Sequence, residues 1–119
     1  MRSYYVAIDF DGTLTKRNSF PETGEPNFDN IDKIVKFIED KEECGYRVVK
    51  ILWTCRENLI GDRAYLSEAV AWCDNNLPFE FDYINENPEI TFGHKELVRK
   101  IVADVYIDDA SINPNRWRY

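Results

Sequence analysis

No stretch of the chain approaches the roughly 20 apolar residues that a membrane-spanning helix needs. The first apolar run is also too short for a secretory signal, because Asp9 interrupts it. The expectation is a cytoplasmic, soluble protein with no membrane partner. Cysteine is scarce: Cys44, Cys55 and Cys73 form an odd set without metal-type or redox-type spacing. That argues against a disulfide framework and predicts buried or half-buried thiols in a reducing compartment. Basic charge is in deficit as well. Fifteen Lys and Arg against 22 Asp and Glu leave a net charge of −7, which lacks the basic footprint of a nonspecific nucleic-acid binder. A phosphorylated substrate stays open, since an acidic site can hold a dication that then recruits phosphate. Internal repeats and low-complexity segments are missing too.

What is present fits one domain over residues 1–119. At this length folding buries about two-thirds of the unfolded chain's surface, and 44% apolar residues suffice for one core. Short apolar runs alternate with helical stretches, the pattern of an α/β fold with a parallel sheet. Tyr4 to Ile8 is apolar throughout, as a strand buried on both faces should be. Residues 14–29 carry Pro21, Gly24 and Pro26 and read as an irregular excursion, at most a flap. A helix is predicted from about Ile31 to Cys44, capped by Asp29 or Asn30 and ended by Gly45. Strands are predicted at Val48–Trp53, Phe81–Ile84 and Val105–Ile107, and helices at Arg63–Asn76 and His94–Val102.

Potentially catalytic residues follow three of the four strands: Asp9 and Asp11, then Thr54, then Asp108 and Asp109. Ligands of open α/β sheets bind outside the carboxyl ends of the strands, so parallel strands gather these residues on one rim. Two like charges about 4 Å apart cost roughly 4 kcal/mol at an effective dielectric near 20. A divalent cation relieves that cost while the carboxylates stay ionised, and a donor set of oxygens without His or Cys favours Mg²⁺. A carboxylate beside Mg²⁺ is a competent nucleophile toward phosphorus. The transferring phosphoryl group needs donors and cations around it. Thr54 can supply a hydrogen bond and a lysine before the last strand can supply charge. A second carboxylate two residues beyond the nucleophile could protonate the leaving oxygen and then activate water.

Asp9-Phe10-Asp11-Gly12-Thr13 resembles the first motif of the haloacid dehalogenase-like hydrolases, Asp-x-Asp-Gly-Thr after an apolar strand. Thr54 is similar to their second motif, and Asp108-Asp109 after Val-Tyr-Ile to the paired-aspartate form of their fourth. Lys100, eight residues before Asp108, stands where the third motif's cation stands in some members, with Arg99 and Lys95 as competitors. The resemblance spans most of the chain in the family's order. It implies a Rossmann-like three-layer sandwich with a parallel sheet of about four strands in the order 4-1-2-3.

It further implies a Mg²⁺-dependent phosphomonoesterase in which Asp9 is nucleophile and metal ligand. Asp11 would be the general acid/base, with its backbone carbonyl on the metal. Thr54 and Lys100 would hold the phosphoryl oxygens, and Asp108 and Asp109 would bind the metal. Gly12, Cys55 and Arg56 complete the candidate substrate contacts. Both gaps in which relatives insert a cap are filled by core elements here, so the capless subgroup is expected. Capless relatives act on macromolecules or borrow a lid from a neighbouring subunit. The expected partners are therefore a phosphorylated small molecule or macromolecule, and a second copy of the chain as lid. The chain also resembles a small subgroup carrying Leu52-Trp53-Thr54-Cys55-Arg56 and Asn85-Glu86-Asn87.

Plainer roles compete at several positions. Asp11-Gly12 is a common turn pair, Thr54 could cap a strand end, and Asn85 is better suited to a turn than to a substrate. Arg56 could meet phosphate or a neighbouring carboxylate. His94 fits a local cap, and Trp53, Trp72 and Trp117 fit packing. Cys55 and Arg56 are adjacent, which leaves no run of N–H groups between them for a cysteine-phosphatase loop. Two other function classes share the ingredients: a phospho-acceptor module resembling response-regulator receivers, and a catalytically silent binding protein of the same fold.

Overall fold

A computed structural model describes residues 2–20, 22–54, 56, 64–85 and 103–108. The elements run β1 (Arg2–Asp9), α1 (Phe28–Glu43), β2 (Tyr46–Trp53), α2 (Tyr65–Asn76), β3 (Tyr83–Ile84) and β4 (Val105–Ile107). The four strands pair in parallel in the order β3-β2-β1-β4. Counted from the other edge this is 4-1-2-3. Successive strands step one way from β1 to β3, and β4 then lies on the far side of β1, so the order reverses between β1 and β4. Such a reversal is where an open α/β sheet forms its ligand crevice.

Alternation along the central strands divides the core in two. Val6 and Ile8 of β1, Val48 and Leu52 of β2, and Val105 and Ile107 of β4 pack with Ile31, Ile34 and Ile38 of α1 and Ala69, Trp72 and Cys73 of α2. Both described helices therefore cover the same face. Ala7, Val49, Ile51 and Ala103 form the second group, edged by Tyr5, Trp53, Tyr83 and Tyr106. The helix expected at His94–Val102 as the third layer lies outside the described residues.

Several boundaries differ from the sequence expectation, for local reasons. Helix α1 starts at Phe28, because Asn27 caps it by accepting a hydrogen bond from the Asn30 N–H at 3.1 Å. The predicted caps Asp29 and Asn30 thus sit inside the first turn. Residues 14–27 close at their base as a small antiparallel hairpin: Lys16 N–H donates to the Glu25 carbonyl and Asn27 N–H to the Leu14 carbonyl, both at 2.8 Å. Trp72 anchors that hairpin through Nε1–H to the Gly24 carbonyl at 3.0 Å, and its ring meets Phe10 edge-on at 5.2 Å.

The outer strands begin with one shared device. Asp82 donates its N–H to the Lys50 carbonyl and accepts the Lys50 N–H on its carboxylate, both at 2.8 Å. Asp104 treats Tyr5 in the same way, at 2.8 and 2.7 Å. An aspartate carboxylate thus takes the N–H that a strand carbonyl would otherwise accept. Strand β3 consequently starts at Tyr83 rather than Phe81.

Among the described residues no helix is long and apolar enough to cross a membrane. Cys73 is buried, as expected, and burial followed by the charge of Asp74 pushes its thiol up to about 12. Cys44 departs from the expectation and is exposed. It sits at the C-terminal cap of α1, just before Gly45, whose φ of +96° ends the helix and leads the chain into β2.

Candidate active site at the carboxyl ends of the strands

Strand β1 ends at Asp9, whose Oδ1 accepts the Phe10 N–H at 2.8 Å. The Phe10 carbonyl then gathers the N–H groups of Thr13, Leu14 and Thr15 at 3.3, 3.0 and 3.4 Å, winding residues 10–15 into a tight turn. Gly12 sits at φ +80°, a conformation that side chains disfavour, and its N–H donates to Thr15 Oγ1 at 2.9 Å. Its place in the motif has a conformational reason. The buried Asn30 of α1 donates Nδ2–H to the Thr13 carbonyl at 3.1 Å and bolts the turn to the helix.

Asp9 and Asp108 come together. Ile8 pairs with Ile107, so the next residues on the two neighbouring strands are these aspartates. Asp9 alternates in step with Tyr5 and Ala7, and Asp108 in step with Tyr106, which assigns both to the same side of the sheet. Adjacent strands lie about 5 Å apart, so the two residues stand next to each other at the tip of the β1–β4 crevice.

Thr54 follows β2 on the same rim and is buried. Its N–H donates to Asn85 Oδ1 at 2.8 Å, and its Oγ1 accepts the Arg56 N–H at 3.2 Å. Asn85 sits at φ +51° after β3, and its N–H donates to the Leu52 carbonyl at 2.8 Å. Asn85 Nδ2–H also donates to the Arg56 carbonyl at 3.4 Å. Asn85 is thus a turn residue that braces the Thr54–Arg56 backbone from the neighbouring strand.

Arg56, only 1% exposed, is the most enclosed charge among the described residues of this rim. Nε–H donates to Asp11 Oδ2 at 2.9 Å and Nη2–H to Asp11 Oδ1 at 2.8 Å, a fork across both carboxylate oxygens. Nη2 also donates to the Glu22 carbonyl at 2.5 Å. The guanidinium carbon lies 5.0 Å from the Phe10 ring centre and 5.1 Å from that of Phe20. Of the two partners open to Arg56 in the sequence, the carboxylate is the one engaged. Asp11, Asn18, Phe20 and Arg56 line a cavity of about 330 Å³. Phe20 is 52% exposed, with its ring 5.1 Å from that of Tyr65 at the start of α2.

Sequence reasoning missed Phe20, Asn18 and the Glu22 carbonyl as parts of this site. All three belong to the hairpin read as an irregular excursion, and the proline and glycine content there gave no sign of what it touches. Asp109, Lys100, its competitors Arg99 and Lys95, Cys55, His94 and Trp117 lie outside the described residues.

Asp9 and Asp108 are hard oxygen donors side by side, and the Asp11 side chain is turned to Arg56. That donor chemistry would suit a hard dication such as Mg²⁺. Among the described residues no cluster of three or more His, Cys, Asp or Glu side chains is gathered.

The chain is similar to a solved structure of a conserved protein coded by a locus from Bacteroides thetaiotaomicron. The TM-score is 0.63 at 28% identity, over 93% of this chain and 79% of that one. No family model and no curated protein matches the chain.

Proposed function

We propose that the chain is a Mg²⁺-dependent phosphomonoesterase of the haloacid dehalogenase-like kind, acting through an aspartyl-phosphate on Asp9. One observation carries the reading: Asp9 and Asp108 stand level, on one side of the sheet, at the crevice where strand order reverses. Thr54 follows the end of the next strand, and Asp11 stands two residues beyond Asp9.

In this reading an Asp9 carboxylate oxygen attacks phosphorus as the ester P–O bond breaks, and the leaving oxygen takes the proton carried by Asp11. Water then attacks phosphorus and gives a proton back to Asp11. The Asp9–phosphorus bond breaks and inorganic phosphate leaves. Thr54 and Lys100 orient the phosphoryl oxygens. Bound Mg²⁺, held by Asp9, Asp108, Asp109 and the Asp11 carbonyl, would offset the carboxylate repulsion and neutralise the incoming phosphate.

The substrate is a phosphorylated small molecule or macromolecule, and a second copy of the chain is the proposed lid. A cytoplasmic setting belongs to the same reading, supported by the odd, unspaced set of cysteines. The test is a panel of phosphate esters assayed with Mg²⁺ and with a chelator, beside Asp9→Asn. Turnover that needs Mg²⁺ and vanishes in Asp9→Asn is expected. Undiminished hydrolysis in that variant removes Asp9 as nucleophile, and an inert, folded wild type removes the enzyme reading.

A further inference from the structure

We propose that Arg56 is a positioning residue that aims Asp11 and ties that aim to the hairpin of residues 14–27. This rests on the phosphatase reading of the same rim. The fork of Nε and Nη2 occupies both oxygens of Asp11, which fixes the plane of the carboxylate, not merely its charge. The same Nη2 reaches the Glu22 carbonyl, so one guanidinium joins the acid/base to the hairpin. Phe20, from the hairpin tip, and Phe10, from the turn, both pack on that guanidinium. Thr54 and Asn85 hold the Arg56 backbone from two further strand ends. Three stretches distant in sequence, the turn with its hairpin, the end of β2 and the end of β3, therefore converge on the orientation of one carboxylate.

That arrangement also dictates what Arg56 must do during turnover. Asp11 cannot give a proton to a leaving oxygen while Arg56 holds both of its oxygens. Nη2 has two hydrogens and two acceptors. It releases Oδ1 while keeping the Glu22 carbonyl, and Nε keeps Oδ2. Oδ1, once freed, takes a proton from solvent and is then the oxygen that turns to the leaving group. The cavity bounded by Asp11, Asn18, Phe20 and Arg56 is the space into which it turns.

The experiment compares phenyl phosphate, whose leaving oxygen needs a proton, with 2,4-dinitrophenyl phosphate, whose leaving group departs without one. It reads kcat/KM, which reports only steps through leaving-group departure, together with inhibition by inorganic phosphate. Arg56→Lys keeps a positive charge and loses the planar fork. Its kcat/KM is expected to fall about 10–100-fold on phenyl phosphate, the scale of a misplaced catalytic group. On the dinitrophenyl ester the fall is expected to stay under about 3-fold, with phosphate inhibition unchanged, because acid catalysis contributes little there. Phe20→Ala, at an exposed position, should show the same split at smaller size, and it carries the test if Arg56→Lys melts below assay temperature.

Equal losses on both esters with weakened phosphate inhibition would make Arg56 a phosphate ligand and overturn the proposal. Equal losses with phosphate inhibition intact would make its role structural, and overturn it as well. An active wild type whose folded variants show no split defeats this inference alone. A wild type inert on both esters defeats the phosphatase reading and this inference with it.

Discussion

Removing the Arg56 guanidinium should destabilise the protein far more than removing an exposed ion pair. Arg56→Met takes away the two bonds to Asp11 and the bond to Glu22, and leaves a carboxylate whose side chain is only 15% exposed beside a site 1% exposed. Breaking a buried pair by deleting one partner costs about 3–5 kcal/mol. Asp11 can rehydrate in part, so the expected loss is near the lower end, about 3 kcal/mol. Asp11→Asn strands the cation instead, with the Glu22 carbonyl still in reach, and should lose about 2 kcal/mol. The double variant buries no lone charge. It should lose about 3 kcal/mol in total, which makes the coupling about 2 kcal/mol.

Urea unfolding of the four proteins without Mg²⁺ measures this cycle. Arg56→Met should also melt roughly 10 °C lower, at about 3–5 °C per kcal/mol for a domain of this size. Lys16→Ala is the control, because its pair with Glu25 is 61% and 78% exposed and should contribute within about 0.5 kcal/mol. Losses at Arg56 and Asp11 that add to within about 0.5 kcal/mol would refute the argument.

Three further predictions concern the turn, the core and the thiols. In Gly12→Ala the new Cβ finds its nearest neighbour, the Asn18 nitrogen, at 3.8 Å. Space is therefore adequate and the whole loss, about 1–2 kcal/mol, is conformational; Gly12→Asn should recover part of it in a thermal melt. Cys73 is raised from 9.0 to about 12 in the fold. The stability this contributes is intact below pH 9 and drains as pH climbs toward 12, about 1 kcal/mol by pH 10. Wild type should lose that much more than Cys73→Val between pH 8 and 10 in urea titrations. Peptide-level mass spectrometry at pH 8 should find Cys44 alkylated and Cys73 protected until the protein unfolds.

The strand tips were legible in the sequence because parallel strands buried on both faces read as unbroken apolar runs. Their carboxyl ends are where such a run meets Asp9, Thr54 or Asp108. Helix α1 was legible from the Ile31, Ile34, Ile38 spacing, and its cap was misread because Asn27, Asp29 and Asn30 can all fill that place. Strand β3 came out shorter than Phe81–Ile84 because Asp82 uses its side chain where a strand would use its backbone. The hairpin of residues 14–27 lacks alternation, since beyond the bonds at its base it is held by Trp72 and Arg56. The Arg56–Asp11 pair joins residues 45 positions apart; charge alone offered Arg56 several carboxylates, and only the folded rim chooses.

The aspartate clamp at the foot of β4 makes that strand a measuring stick. Asp104 grips Tyr5, and from each of these two residues the same number of steps leads to Asp108 and to Asp9. The length of Val105–Ile107 thus sets the level of one carboxylate against the other from the far side of the sheet. One residue inserted there would lift Asp108 by about 3.3 Å and turn it to the opposite side. Three hydrophobic residues with no chemistry of their own therefore govern whether two acids stand level.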